Sequence, residues 1–309
     1  MLATFTVTLI AVAGMLMYAV PGFLFVKTKL IKAESISAFA VILLYVCTPT
    51  LYVYAFQKCT FSWDLLKDMG IFLALVLAVQ ALVLGLAYLI LRKKYEDVKY
   101  RIMTVACALS NATFFGIPLV ETILPEYPDA PVFCSVFGFT MSIIGWTVGS
   151  FIITGDRKHF SLKKLFFNPA SLGIAAGLVL FVSGIQLPKL FGDMITLLGK
   201  MSTPLSMLVL GMRLAGADFR KMFASGAFYL TSSAKLLFMP LLSFALAWFL
   251  PIDPVLKVTL FVICSCPTAT SVLNFAELHG EGQETASYLV LLSTILSVIT
   301  VPAVTLLVL

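Results

Sequence analysis

Apolar residues run along this chain in ten long blocks, at 4–26, 35–56, 70–91, 101–123, 131–154, 169–185, 190–212, 224–250, 256–276 and 285–308, divided by short polar connections. A helix needs about 20 apolar residues to cross a bilayer core. Within each block the apolar residues are continuous rather than alternating, which excludes the strand pattern of a membrane barrel and predicts helices. The sixth block is short, and polar residues interrupt the fourth and ninth. The pattern therefore predicts an all-α membrane protein of ten transmembrane helices, two of them broken. Residues 1–20 carry neither a basic leader nor a small-residue cleavage pattern, so the first block is read as a retained helix.

Nine residues of the fourth block recur, altered, in the ninth. Val105-Ala-Cys-Ala-Leu-Ser-Asn-Ala-Thr113 reads against Val262-Ile-Cys-Ser-Cys-Pro-Thr-Ala-Thr270, a shift of 157. Thr48-Pro49 and Thr203-Pro204 stand 155 apart, and Glu121 and Glu277 stand 156 apart. Five blocks per half is an odd number, so the second half enters the membrane from the opposite face. This predicts two inverted five-helix repeats, at 1–154 and 169–309, joined by the hydrophilic connection 155–168.

The broken helices carry the candidate chemistry. Ser110, Asn111 and Thr113 offer the backbone alternatives to helix, and Gly116 and Pro118 follow them; Pro118 removes a ladder bond and clashes with the carbonyl four residues back. In the ninth block Pro267 does the same, with Thr268 and Thr270 directly after it. If both helices unwind at mid-membrane, their second halves begin there with unpaired N–H groups, capped by Asn111 and Thr268. Each start carries about half a positive charge, which suits an anion such as a carboxylate. For a single helix, polar residues stabilising a proline kink would be the simpler reading; the recurrence favours a binding site. Pro49 and Pro204 are read as kinks that let the second and seventh helices line the cavity.

Lys235 lies deep in the eighth block beside Ser232 and Ser233, with no mid-span carboxylate to pair with it. An ammonium there costs about 3 kcal/mol on insertion scales. It either lends positive charge to the anion site or replaces a bound cation, or else it bonds to unwound carbonyls as a structural group. Its repeat counterpart is Gln80. Glu121 and Glu277, at the two interfaces, are candidates for proton coupling or gating, or ordinary interfacial glutamates. Lys200 reads as a snorkelling or cavity-rim residue. Gly173 and Gly177 have the spacing for close helix approach, at a dimer face or inside the bundle.

Composition agrees with a lipid environment: 61% of residues are hydrophobic and only 12% charged, too few to cover a globule in water. Fifteen of the 21 Lys and Arg fall after the first, third, fifth and seventh blocks, at Lys27, Lys29, Lys32, Arg92, Lys93, Lys94, Lys99, Arg101, Arg157, Lys158, Lys163, Lys164, Arg213, Arg220 and Lys221. The positive-inside rule places these loops in the cytoplasm and both termini outside. A basic rim facing anionic lipid accounts for the net charge of +6 without a nucleic-acid partner. The six cysteines show no metal-ligand spacing and read as packing residues. His279 with Glu281 and Glu284 reads as a solvated loop, and His159 suggests nothing catalytic; no metal or cofactor is expected.

The chain resembles the auxin efflux carrier family in Ser110-Asn111-Ala-Thr-Phe-Phe-Gly116-Ile-Pro118-Leu, Thr203-Pro-Leu-Ser-Met-Leu-Val-Leu-Gly211, Lys235-Leu-Leu-Phe-Met-Pro240 and Pro267-Thr-Ala-Thr. The resemblance, which covers essentially the whole chain, implies a fold similar to bile-acid symporters and sodium/proton antiporters. It implies a scaffold domain of helices 1, 2, 6 and 7 and a transport domain of helices 3–5 and 8–10, working by an elevator-like motion, with homodimers usual in plant members. In those members Pro-Asn pairs at both crossings bind the substrate carboxylate. Here Ser110-Asn111 lacks the proline and Pro267-Thr268 lacks the asparagine, and the long cytoplasmic loop of the hormone exporters is missing.

The expectation is a plasma-membrane secondary transporter of a small organic anion, a mono- or dicarboxylate of malate, malonate or auxin type, held by Ser110, Asn111, Thr113, Thr268, Thr270 and Lys235. A sodium- or proton-coupled carrier of another solute is the alternative, although antiporters of that kind need mid-membrane carboxylates that this chain lacks. An intramembrane enzyme would need a nucleophile and base at membrane depth, and both histidines lie in loops.

Overall fold

The computed structural model describes residues 2–156, 158 and 161–308. Arg157 and His159 of the basic connection lie outside the described residues. Within them the fold is built from helices, and β pairing is confined to one isolated bridge. Among the described residues seven helices are long and apolar enough to cross a membrane: α1 (Thr4–Lys27), α2 (Ala33–Gln57), α3 (Trp63–Lys94), α6 (Ala130–Thr154), α8 (Lys189–Ala215), α9 (Gly226–Ala247) and α12 (Gln283–Thr305). Between them stand α4 (Val98–Ala108), α5 (Ala112–Ile123), α7 (Pro169–Ser183), α10 (Pro254–Ser265) and α11 (Thr270–His279). The pairs α4/α5 and α10/α11 are the interrupted fourth and ninth blocks.

Several element limits differ from the hydrophobic pattern, and local chemistry explains them. α3 begins seven residues earlier than its apolar block because the Ser62 hydroxyl accepts from Leu65 N–H at 3.1 Å, capping a polar first turn. Residues 219–224, just ahead of the eighth block, form a separate short helix, with Asp218 capping the Lys221 N–H at 3.2 Å. α8 turns at Met201, between Lys200 and Ser202.

Three of the prolines inside the helices share a device. Wide π turns at Leu43–Cys47, Ala112–Gly116 and Ala234–Phe238 each end two residues before a proline, at Pro49, Pro118 and Pro240. Proline cannot donate to the ladder and crowds the carbonyl four residues back, and a widened turn there relieves both problems. Pro49 thus marks the expected irregularity in α2, while Pro204 sits in the first turn of α8 beyond the Met201 turn.

The closest packing joins α1 to α8 and α2 to α7 and the first half of α8. A Cβ on Gly22 would strike the Leu208 backbone, and one on Gly211 the Ala19 backbone, so α1 and α8 touch main chain to main chain. Gly173 faces Pro49 and Gly177 faces the Phe56 ring. This places that glycine pair inside the bundle. Large apolar side chains such as Ile10, Ile90, Leu230 and Ile299 are exposed outward, where hydrocarbon would cover them. All six cysteines are buried and unpaired with one another.

Candidate functional site

The break between α4 and α5 falls at Leu109–Asn111 and that between α10 and α11 at Cys266–Ala269. Leu109, Cys266 and Ala269 adopt extended backbone, which leaves main-chain donors and acceptors without helical partners in the buried interior of the bundle, where an unpaired group is costly. The two segments satisfy each other. Asn111 N–H donates to the Pro267 carbonyl at 2.8 Å, Ala269 N–H donates to the Leu109 carbonyl at 2.9 Å, and Ser110 faces Thr268 as an antiparallel bridge. Pro267 contributes only its carbonyl, which is all that its position requires.

The second halves start at this crossing. Asn111 caps α5, its side-chain oxygen accepting from Phe114 N–H at 3.3 Å. Thr268 does not cap α11, contrary to expectation. Its pairing with Ser110 turns its hydroxyl toward the Ala106 carbonyl at 3.4 Å, its N–H goes to the Ser293 hydroxyl at 3.1 Å, and Ala269 takes the cap position without a side-chain bond. Gly116 closes the wide turn Ala112–Gly116 and not the extended interruption itself. It has helical backbone, φ −69°, and a Cβ there would make only ordinary contacts, so the Ser-Asn pair upstream sets the interruption.

Beside the crossing lies a cavity of about 90 Å³. Asn111, Thr113 and Thr270 line it, together with Tyr52, Ser271 and Asn274. Among the described residues its lining contains no Lys, Arg, Asp or Glu. Thr113 shares a hydrogen bond of 2.8 Å with the Tyr52 hydroxyl, which itself nests against Gly138. The cavity shares Thr48, Ser142 and Asn274 with a wider space of about 280 Å³, and that space meets an outer one of about 490 Å³ at Trp146 and Asn168. Lys164 stands at the outer mouth with its ammonium 5.6 Å from the Trp146 ring centroid, and Trp146 packs edge-on against Phe275 of the cavity wall.

Ser110, Thr268 and Lys235 are buried but do not line this cavity. Ser110 points its hydroxyl to the Met239 sulfur at 3.8 Å, and Lys235 donates to the Cys264 carbonyl at 2.8 Å in the last turn of α10. Lys235 thus braces the broken helix from behind. Gln80 is wholly buried on α3, its amide atoms without a hydrogen-bond partner. Thr203 donates to the Phe114 carbonyl at 2.8 Å and so contacts α5 rather than the cavity.

Glu121 pairs with Lys58 at 2.7 Å and accepts from the Tyr54 hydroxyl at 2.9 Å; Glu277 pairs with Arg213. Lys200 stacks its ammonium on the Tyr54 ring at 5.4 Å. His279 contacts the Ser150 hydroxyl at 3.2 Å, and among the described residues no group of three or more His, Cys, Asp or Glu is placed to hold a metal ion.

Tyr52, Ser142, Ser271 and Asn274 were not singled out by the sequence pattern. The signal for two of them lies in helical spacing: Tyr52 is four residues from Thr48, and Asn274 four from Thr270, so each shares a face with a recognised residue.

A family model described as "Membrane transport protein" matches residues 7–160 and 157–305. The chain is also 29% identical over 140 residues to a protein of Rhizobium meliloti (strain 1021) named "Putative malonate transporter". That match spans 45% of this chain and 43% of the relative.

Proposed function

Because the chain belongs to the membrane transport protein family of the auxin efflux carriers and is a multi-pass membrane transporter, we propose that it is a secondary carrier of small organic anions. The carboxylate would lie against the starts of α5 and α11, where Asn111, Thr113 and Thr270 supply side-chain groups. The first turn of each helix adds N–H groups that have no intrahelical carbonyl. The observation that carries this reading is the paired crossing at Asn111 and Ala269 beside a cavity without charged side chains. A cavity of that kind attracts an anion through oriented dipoles and does not trap it with a fixed cation, which suits a site that must release its load. The malonate named for the relative falls in the same chemical class.

In this proposal α4/α5 and α10/α11 are the crossed members of two inverted five-helix repeats, ten crossings in all. The frame of α1, α2, α7 and α8 stays fixed, and the remaining helices move past it. The spaces leading from the crossing to Lys164 open toward the basic face, so the conformation is inward-facing if that face is cytoplasmic.

A thermal-shift series on the purified protein with mono- and dicarboxylates, followed by counterflow in liposomes, tests the proposal. A carboxylate ligand should raise the melting temperature with saturation, and Asn111→Ala should abolish the shift in a protein that still folds. Full retention of binding by Asn111→Ala would remove the crossing from consideration as the carboxylate site.

A further inference from the structure

On α11 the cavity continues past the crossing onto a second polar face. Thr270 and Asn274 stand one turn apart on the same side of the helix, with Ser271 beside them and Ser142 opposite on α6, and all four line the cavity. The Ser271 hydroxyl is buried with no hydrogen-bond partner. A hydroxyl held out of water without a partner carries a penalty that a ligand group of matching chemistry removes.

The dimensions limit that ligand. The cavity of about 90 Å³ opens at Ser142, Ser271 and Asn274 into the space of about 280 Å³, so a short acid fits with one end at the crossing and the other at Asn274. Asn274 lies about 6 Å along the helix from Thr270, a separation that two or three carbons span. Nearby cations are held elsewhere. Lys164 lines only the outer mouth, and Arg213, which shares a crevice of about 20 Å³ with Thr270 and Asn274, is tied to Glu277.

We propose that Asn274, Ser271 and Ser142 form a distal subsite that selects short bifunctional acids, with one carboxylate at the crossing and a second hydrogen-bonding group, hydroxyl or carboxyl, at Asn274. This rests on the anion reading above and adds to it the identity of the substrate's other end. A simple fatty acid of the same length presents a methyl group there and leaves Ser271 unpaired.

The test measures affinities of the purified full chain for propionamide, propionate, 3-hydroxypropionate and malonate by titration calorimetry. The wild type should bind the two bifunctional acids about tenfold more tightly than propionate, the scale of one or two well-made hydrogen bonds. Asn274→Ala should bring all three acids to within about twofold of one another, the two bifunctional acids losing more affinity than propionate. Asn274→Asp, which retains the shape and adds a negative charge, should weaken malonate more than 3-hydroxypropionate. Equal loss for all three acids in Asn274→Ala, or no wild-type preference for the bifunctional acids, would overturn the subsite. Binding of propionate no tighter than propionamide would instead overturn the carboxylate site at the crossing.

Discussion

The Lys58 ammonium lies 2.7 Å from the Glu121 carboxylate, joining the end of α2 to the end of α5. The Arg213–Glu277 pair joins α8 to α11 in the same manner, and its members stand 155 and 156 residues beyond Lys58 and Glu121. Each broken helix is therefore tied at its far end to a helix, α2 or α8, of the proposed frame.

Both pairs are partly exposed, so each contributes on the order of 0.2–1 kcal/mol to stability. Glu121→Gln and Glu277→Gln should shift the melting temperature by no more than a few degrees, yet each should change the transport rate. If the domains slide as proposed, a tie between them weights the conformations. Counterflow rates beside equilibrium affinities would separate these effects, and unchanged rates in both variants would reduce the pairs to surface contacts.

The first pair also carries a pH expectation. Burial disfavours the Lys58 ammonium, but the hydrogen bond and charge of Glu121 outweigh it, and the pKa lies above the ordinary lysine value. A group raised on folding contributes fully below its unfolded pKa, about 10.4, and loses that contribution as pH rises through the folded value. The difference in melting temperature between wild type and Glu121→Gln should therefore stay constant from about pH 7 to 9 and shrink above about 10.5. A difference that fades between pH 7 and 9 would contradict the assignment.

Ala269→Pro isolates one bond of the crossing. Ala269 has φ −65° and ψ 139°, values proline adopts without backbone strain; the substitution removes the donor to Leu109 and sets the ring Cδ against that carbonyl, which must move aside. A cost of about 1–3 kcal/mol is expected from the orphaned carbonyl, together with loss of ligand-induced stabilisation. Retained ligand affinity would show that the site tolerates an unpaired crossing.

Lys235 lies behind the site, bonded to the Cys264 carbonyl. If it is ionised there, a low-dielectric interior screens its charge only weakly. Lys235→Met should weaken propionate binding more than propionamide binding. Equal losses would make the lysine a brace for α10 alone.

At the glycine contacts of the frame, Gly22→Ala and Gly211→Ala would each drive a methyl group into main chain, whereas Gly14→Ala meets nothing within 4 Å. The first two should abolish recovery of folded protein and the third should leave it unchanged, as read by size-exclusion chromatography.

The interruptions were legible because they are local: Ser110-Asn111 and Pro267 disfavour helix whatever surrounds them. Their pairing was not, since a bond from Asn111 to Pro267 joins residues 156 apart that only the folded chain brings together. The same reason displaced Thr268, a good cap by type, whose position in the paired segment gives its hydroxyl to Ala106. Gly173 and Gly177 declared a close approach but not a partner, which the Pro49 and Phe56 contacts supply. The distal polar face went unread because Ser271 and Asn274 follow the break and look like ordinary helix residues.

The reciprocal bonding of Leu109 and Asn111 with Pro267 and Ala269 has a consequence for biosynthesis. While the ribosome is still translating the middle of the message, the earlier segment has reached the bilayer with a donor and an acceptor that nothing yet matches. Its partner emerges more than 150 codons later. Until then the nascent chain holds an incomplete and costly intermediate, one that lipid, translocon or a passing chaperone must shelter.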